Sequence, residues 1–174
     1  MDDELIAHCD PDGHVVGAVP RSLMRRHNLW HCASSVVVRG DAGRVYVHRR
    51  TETKDVFPGL LDFAAGGVVL AGEEPAAGAV RELDEELGIR GVALTPLGVV
   101  RYADDHTRYH AHRFVVAWSG PVRWQAEEVA WGEWVSVTDL VGRVEAQPAA
   151  FVPDSVDVWL ALLRIWRTRE ETSG

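Results

Sequence analysis

Ser34 to Val38 (SSVVV) and Val45 to His48 (VYVH) are β-branched and aromatic runs separated by Gly40-Asp41-Ala42-Gly43, a pattern that predicts a β-hairpin. Leu61 to Leu70 is apolar but broken by Gly66 and Gly67, which predicts short extended pieces around a tight turn. Val92 to Arg101 and Tyr109 to Trp118 read as strands joined by the polar loop Asp104-Asp105-His106, and Trp131 to Val137 as one more. Near the start, Leu5 to Arg21 reads as a short hairpin turning at Asp12-Gly13.

Two stretches carry the longer period of a helix. In the first, Pro75 suits an opening position, Ala76, Val80, Leu83 and Leu87 fall on one stripe, and Gly88 suits the stop. The second begins near Pro153-Asp154-Ser155 and runs to about Arg169, with Val156, Trp159, Leu160, Leu163 and Trp166 as its stripe. A strand-rich sheet with helices against it gives an α/β (α+β) sandwich. Without repeats or long linkers, one domain over residues 1–174 is the expectation: an N-terminal hairpin and connection over 1–30, a core over 31–150, and a C-terminal helix over 151–170.

Charge and composition narrow the function. The formal net charge is −8, from 18 Lys+Arg against 26 Asp+Glu, and such a surface argues against a nucleic-acid partner. It leaves room for a small phosphorylated ligand, for which a few local cations suffice. No apolar run approaches the roughly 20 residues of a membrane span. The acidic start, Met1-Asp2-Asp3-Glu4, is unlike a secretory signal, so a cytoplasmic location is expected. Cys9 and Cys32 have neither metal nor redox spacing, and in that compartment no structural disulfide is expected.

The most informative stretch is Gly67 to Ile89, GVVLAGEEPAAGAVRELDEELGI. On a helix, residues three and four apart share a face, so Glu82, Glu85 and Glu86 project to the same side. Like charges there repel, and the alternatives are a solvated acidic face or a bound cation. Hard divalent ions such as magnesium take carboxylate oxygen together with substrate phosphates.

The full spacing decides between them. Gly67, Glu73 and then Arg81-Glu82-Leu83-Asp84-Glu85-Glu86-Leu87-Gly88-Ile89 resemble the Nudix box at every specified position, over residues 67–89. The resemblance implies an α/β/α sandwich with a mixed sheet and a loop–helix–loop that presents the glutamates to metal. It implies Glu82, Glu85 and Glu86 as ligands of Mg2+, with Mn2+ as the alternative ion. It also implies Gly67 as a tight turn near the metal, and Glu73 and Arg81 as supports that orient the carboxylates. The implied chemistry is hydrolysis of a phosphoanhydride bond by water attack on phosphorus, in a diphosphate-linked small molecule such as a nucleoside diphosphate joined to another group. Beyond the box, Glu128, beside Glu127, stands where the family often places a further ligand or base. Glu85, Glu86 and Glu128 are therefore the candidate catalytic residues.

The segment before the box, Arg49-Arg50-Thr51-Glu52-Thr53-Lys54 and then Phe57-Pro58-Gly59, looks like that of isopentenyl diphosphate isomerase, which shares the Nudix fold. Together His31 to Ile89 and Phe151 to Ser155 look closest to an isomerase-like bacterial branch of Nudix hydrolases. The resemblance implies that Arg50 and Lys54, the only lysine in the chain, hold the substrate diphosphate. The isomerase reaction itself is disfavoured. Its catalytic cysteine aligns with Gly66, its following metal-binding histidine with Val68, and its C-terminal aromatic residue with Asp154. A diphosphate-binding regulatory domain without catalysis is the other alternative, and the intact glutamate set argues against it.

The remaining signals are weaker. His31 reads as a pocket-wall residue; His27 lies nearby, without the isomerase spacing. His106, His110 and His112 lack further zinc ligands and read as substrate contacts at most. Trp118, Trp124, Trp131 and Trp134 include a candidate wall for a planar group. Asp154 reads first as a cap of the last helix. A homodimer is expected from the base rate for soluble enzymes.

Overall fold

The computed structural model describes residues 3–54 and 56–173. The N-terminal hairpin forms as expected: β1 (Leu5–Cys9) pairs antiparallel with β2 (Val15–Pro20), and Gly13 in the turn takes a φ of 94°. A short helix, α1 (Arg21–His27), follows and was not foreseen. It buries only Met24, so it has too short an apolar stripe for periodicity to reveal.

The next two strands, β3 (Trp30–Arg39) and β4 (Val45–Arg50), do not make the expected hairpin ladder. They share a single antiparallel pair, Arg39 with Val45, and then part. β3 runs parallel to β8 (Arg108–Ala117) along its whole length and antiparallel to β6 (Ala65–Val68). β4 pairs with β5 (Leu61–Asp62) and β9 (Val129–Val135), and β7 (Thr95–Ala103) pairs with β8. The physical reason lies in SSVVV: Val36 and Val38 are buried on one face and Val37 on the other. A strand with both faces covered belongs at the centre of a sheet. Among the described residues nine strands form one mixed sheet, an α+β architecture.

Helices cover both faces. α2 (Pro75–Leu87) packs Ala79, Leu83 and Leu87 against Val36, Val38 and Phe114. Pro75 opens it and Gly88, at φ 64°, closes it, both as the sequence predicts. The stripe differs in detail: Ala76 and Val80 are exposed, and the buried face runs through Gly78, Ala79, Leu83, Glu86 and Leu87. Glu86 thus lies inside rather than opposite the packed face.

On the other side α3 (Val137–Ala146) and α4 (Pro153–Ser173) pack Leu140, Val144, Trp159 and Leu163 over Val37, Val45, Val47 and Phe63. The strand expected to reach Val137 ends at Val135, because Ser136 caps α3 by accepting from the Asp139 amide at 3.0 Å. Trp159, fully buried, donates from Nε1 to Ser35 Oγ at 2.8 Å and lies under the Arg113 guanidinium. It therefore pins the start of α4 to β3. Among the described residues no helix is long and apolar enough to cross a membrane. Cys9 and Cys32 are buried free thiols.

Candidate active site

α2 lies against β6, and the two glycines of that strand make the close approach possible. Gly66 and Gly67 are extended backbone paired with Ser35 and Ser34, so Gly67 is not the tight turn the sequence implied. The turn comes later, at Gly72 with φ 78°. A Cβ on Gly67 would collide with the Glu82 carboxylate, and the Gly66 amide donates to Glu86 Oε2 at 3.2 Å. Two of the three box carboxylates therefore rest on bare backbone.

Arg81 organises the helix side. Its Nε and Nη2 donate to the two oxygens of Glu73, at 3.0 and 3.1 Å, a bidentate pair. Its Nη1 reaches Glu82 at 2.7 Å and Glu85 at 3.3 Å, and its Nη2 also reaches the Val68 carbonyl at 3.2 Å. Glu73 in turn accepts from the Leu70 amide at 2.9 Å, so the loop between β6 and α2 is tied to the helix. These contacts have the form of the supporting role expected for Glu73 and Arg81. In this arrangement Glu82 and Glu85 face Arg81 while Glu86 rests on the Gly66 amide, and among the described residues no three His, Cys, Asp or Glu side chains gather into a metal-holding group.

The electrostatics grade the three carboxylates. Glu85 is exposed, Glu82 half-buried, and Glu86 only 5% exposed. Burial raises the Glu82 pKa, and burial followed by the charge of Glu82 raises that of Glu86, with Lys54 acting in the opposite sense. Lys54, whose own pKa burial lowers, forms an ion pair with Glu128. The two loops are joined further by Thr51, whose Oγ1 donates to the Glu127 carbonyl at 2.9 Å and whose amide donates to that of Glu128 at 3.3 Å. Lys54 and Glu128, far apart in sequence, thus meet beside Glu82 and Glu86. Arg50 donates from Nε and Nη2 to the Val56 carbonyl, at 3.1 and 3.0 Å, and faces the adjoining pocket.

That pocket runs from Gly66 and Gly67 past Arg50 to His31, Tyr109 and Asp154. His31 is a wall residue, as expected. Asp154 is not the cap of α4: it is the second residue of the helix, and its Oδ2 accepts from the Tyr109 hydroxyl at 2.8 Å. None of the four tryptophans proposed as a wall lines the pocket. Trp118 donates to the Pro121 carbonyl and Trp134 packs on Tyr46. Nor do His106, His110 and His112 line it, and His110 is turned to the Asp10 carbonyl of the N-terminal hairpin turn.

Sequence reading missed Arg25, Asp62 and Tyr109 in this pocket. Asp62 had a signal, since it is the one charge in the apolar run Leu60 to Leu70. Arg25 had none, because it arrives on the unforeseen α1.

The isomerase alternative meets a steric limit at Gly66. A Cβ there would meet the backbone carbonyl of Ser34 across the β3–β6 ladder. Gly66→Cys is therefore expected to destabilise the fold by about 2 kcal/mol, as overpacking does, and to give no double-bond isomerisation. Urea unfolding checks the first part and an isopentenyl diphosphate assay the second.

The chain is similar to known proteins along most of its length. The NUDIX domain model matches residues 29–155. The Nudix hydrolase orf19 of Rhodococcus erythropolis is 41% identical over 163 residues, covering 88% of each chain. The Nudix hydrolase YfcD of Escherichia coli (strain K12) is 37% identical over 158 residues, covering 91% of this chain and 83% of its own. DR0079 from Deinococcus radiodurans superposes with a TM-score of 0.74 at 23% identity, over 92% of this chain and 98% of that one, a likeness of fold. With the domain match spanning most of the chain and box glutamates, glycine strand and supporting arginine assembled on one side of the sheet, the chain belongs to the Nudix family of hydrolases.

Proposed function

We propose that the chain is a magnesium-dependent hydrolase that cuts a phosphoanhydride bond in a diphosphate-linked small molecule. The observation that carries this reading is the seating of Glu82 and Glu86 on the bare backbone of Gly67 and Gly66. The donor set fits a hard divalent cation. All its donors are carboxylate oxygens at i, i+3 and i+4, and mutual repulsion with burial leaves Glu86 short of positive charge. Glu82, Glu85 and Glu86 would hold magnesium, or manganese in its place. The bound ion would supply charge neutralisation of the diphosphate and an acidified water.

The protein's own groups do the rest. Arg81 and Glu73 fix the helix on its loop, so the carboxylates stay aligned. Arg50 and Lys54 carry the positive charge that steadies phosphate oxygens. Water attacks phosphorus, the anhydride P–O bond breaks, and the leaving phosphate takes the electron pair. The water's proton passes to a carboxylate, with Glu128, Glu85 and Glu86 as the bases in reach of this side of the sheet. Residues 1–174 are read as one such domain, acting in the cytoplasm and pairing as a homodimer.

The test is product release from a diphosphate panel, with magnesium and with EDTA. The panel spans nucleoside triphosphates, dinucleotides, nucleotide sugars, coenzyme A, diphosphorylated isoprenoids and thiamine diphosphate. Cleavage that needs magnesium is the expected result. Tight binding of a panel member without cleavage would replace the hydrolase by the regulatory binding domain.

A further inference from the structure

Anhydride hydrolysis alone leaves part of the pocket unexplained. Asp62 is 5% exposed, and its Oδ1 accepts from the amides of Phe63 and Ala64 at 2.8 and 3.1 Å. Asp154, half-buried, accepts from the Tyr109 hydroxyl at 2.8 Å and from the Ser155 amide at 3.0 Å. Burial and then the charge of Asp62 push Asp154 up to about 6, and burial raises Asp62 as well. The ion pairs nearby join Lys54 to Glu128 and Arg81 to Glu73, Glu82 and Glu85. Neither Asp62 nor Asp154 takes part in an ion pair among the described residues. Arg50 eases both charges, yet its Nε and Nη2 are turned to the Val56 carbonyl.

His31 supplies a separate observation. It is 2% exposed and lines the same pocket. Its Nδ1 lies 3.1 Å from the Leu29 carbonyl, which has no proton to give, so this nitrogen is the donor. Burial holds the ring neutral, with its pKa pushed down to about 4. Nε2 is then an acceptor, on a residue that lines the same pocket. The Tyr109 ring lies 5.7 Å from His31 between centroids, and its one hydroxyl proton is committed to Asp154.

This wall therefore brings two carboxylates and a neutral imidazole acceptor together, in a pocket whose cations are Arg25 and Arg50. We infer that it receives a protonated amine carried by the group attached to the diphosphate, with Asp154 and Asp62 as countercharge and His31 Nε2 as a further acceptor. The inference rests on the diphosphate reading above. An ammonium has three donors and no acceptor, which matches such a wall. A hydrocarbon tail would leave the same groups desolvated and unpaired, which is costly.

The 2-aminoethyl and n-propyl β-esters of ADP test it, because they are equal in size and differ in –NH3+ against –CH3. Dissociation constants are measured by calorimetry in calcium, and AMP release in magnesium, for the wild type, Asp154→Asn and Asp62→Asn. The wild type is expected to bind the aminoethyl ester about tenfold tighter or more, as close charge pairs do. Either substitution should reduce that preference several-fold while circular dichroism shows the fold retained. Equal or tighter binding of the propyl ester overturns the inference, as does failure of both esters to bind or a preference unchanged in both variants. Cleavage of both esters without preference would leave the hydrolase reading standing. Preference without AMP release would uphold the amine site and overturn the hydrolase.

Discussion

Glu86→Gln is expected to lower magnesium-dependent turnover by about a thousandfold, within the range for losing a metal-held or proton-accepting group. The fold should survive. Glu86 is buried, its neighbour Glu82 opposes its charge, and glutamine keeps the side-chain oxygen that accepts from the Gly66 amide. Glu85→Gln, on the exposed side of the same set, should also abolish turnover. Full magnesium-dependent activity in both variants would show that the metal lies elsewhere.

The same substitution has a signature without metal. Burial and Glu82 raise the Glu86 pKa in the folded chain, so that chain holds a proton the unfolded chain has already released. Stability in EDTA is then full below the ordinary glutamate range and falls as pH rises through the raised folded value. Urea midpoints measured from weakly acid to weakly alkaline buffer should show that fall in the wild type. The slope should flatten in Glu86→Gln. An equal slope in both would place its origin in another group.

Trp159→Ala is expected to destabilise the protein by about 4 kcal/mol, the range for deleting a buried aromatic ring. The side chain is fully buried between α4 and the sheet, near Trp166 and beneath Arg113. Its loss also strands Ser35 Oγ, the acceptor of its Nε1 proton. Trp159→Phe keeps most of the packing and loses that hydrogen bond, about 1 kcal/mol of it. Because α4 begins at Pro153 and carries Asp154 into the pocket, the alanine variant should bind diphosphates more weakly as well. Denaturant unfolding gives the first number and calorimetry the second. A loss below about 1 kcal/mol would mean that α4 is held by its other contacts.

How far the sequence reaches depends on the range of the interaction concerned. Pro75 and Gly88 bound α2 because a ring-locked φ at the first turn and a left-handed φ at the stop are properties of the chain there. The spacing of Glu82, Glu85 and Glu86 puts three carboxylates on one side of any helix those residues form. Arg81 and Glu73 are one loop and two helical turns apart, so their pairing is also nearly local. Ser136 was a readable cap for α3, but the apolar run Trp134-Val135 before it masked the helix that follows.

Elements whose partners lie far along the chain were not legible in the same way. Ser34 to Val38 and Val45 to His48 read as the two strands of one hairpin, yet β3 takes β8 and β6 while β4 takes β9 and β5. The choice is made by covering both faces of β3, which no window of sequence contains. The rotation of α2 that buries Glu86 and exposes Val80 follows from where β6 lets the helix approach, and that depends on Gly66 and Gly67 lying flat against it. Lys54 and Glu128 each read as a site residue, but only the pairing of their loops makes them neighbours. Asp154 read as a cap until Tyr109, from β8, supplied its hydrogen bond.

The sequence by itself determined the carboxylate helix and its two ends, because spacing along one helix and the conformational limits of Pro and Gly need no tertiary partner. The tertiary structure decided how strongly each carboxylate holds its proton, which cation faces which anion, and what the pocket beside them presents. Those properties depend on burial and on distances across the sheet, and both arise only when β3 has chosen its neighbours.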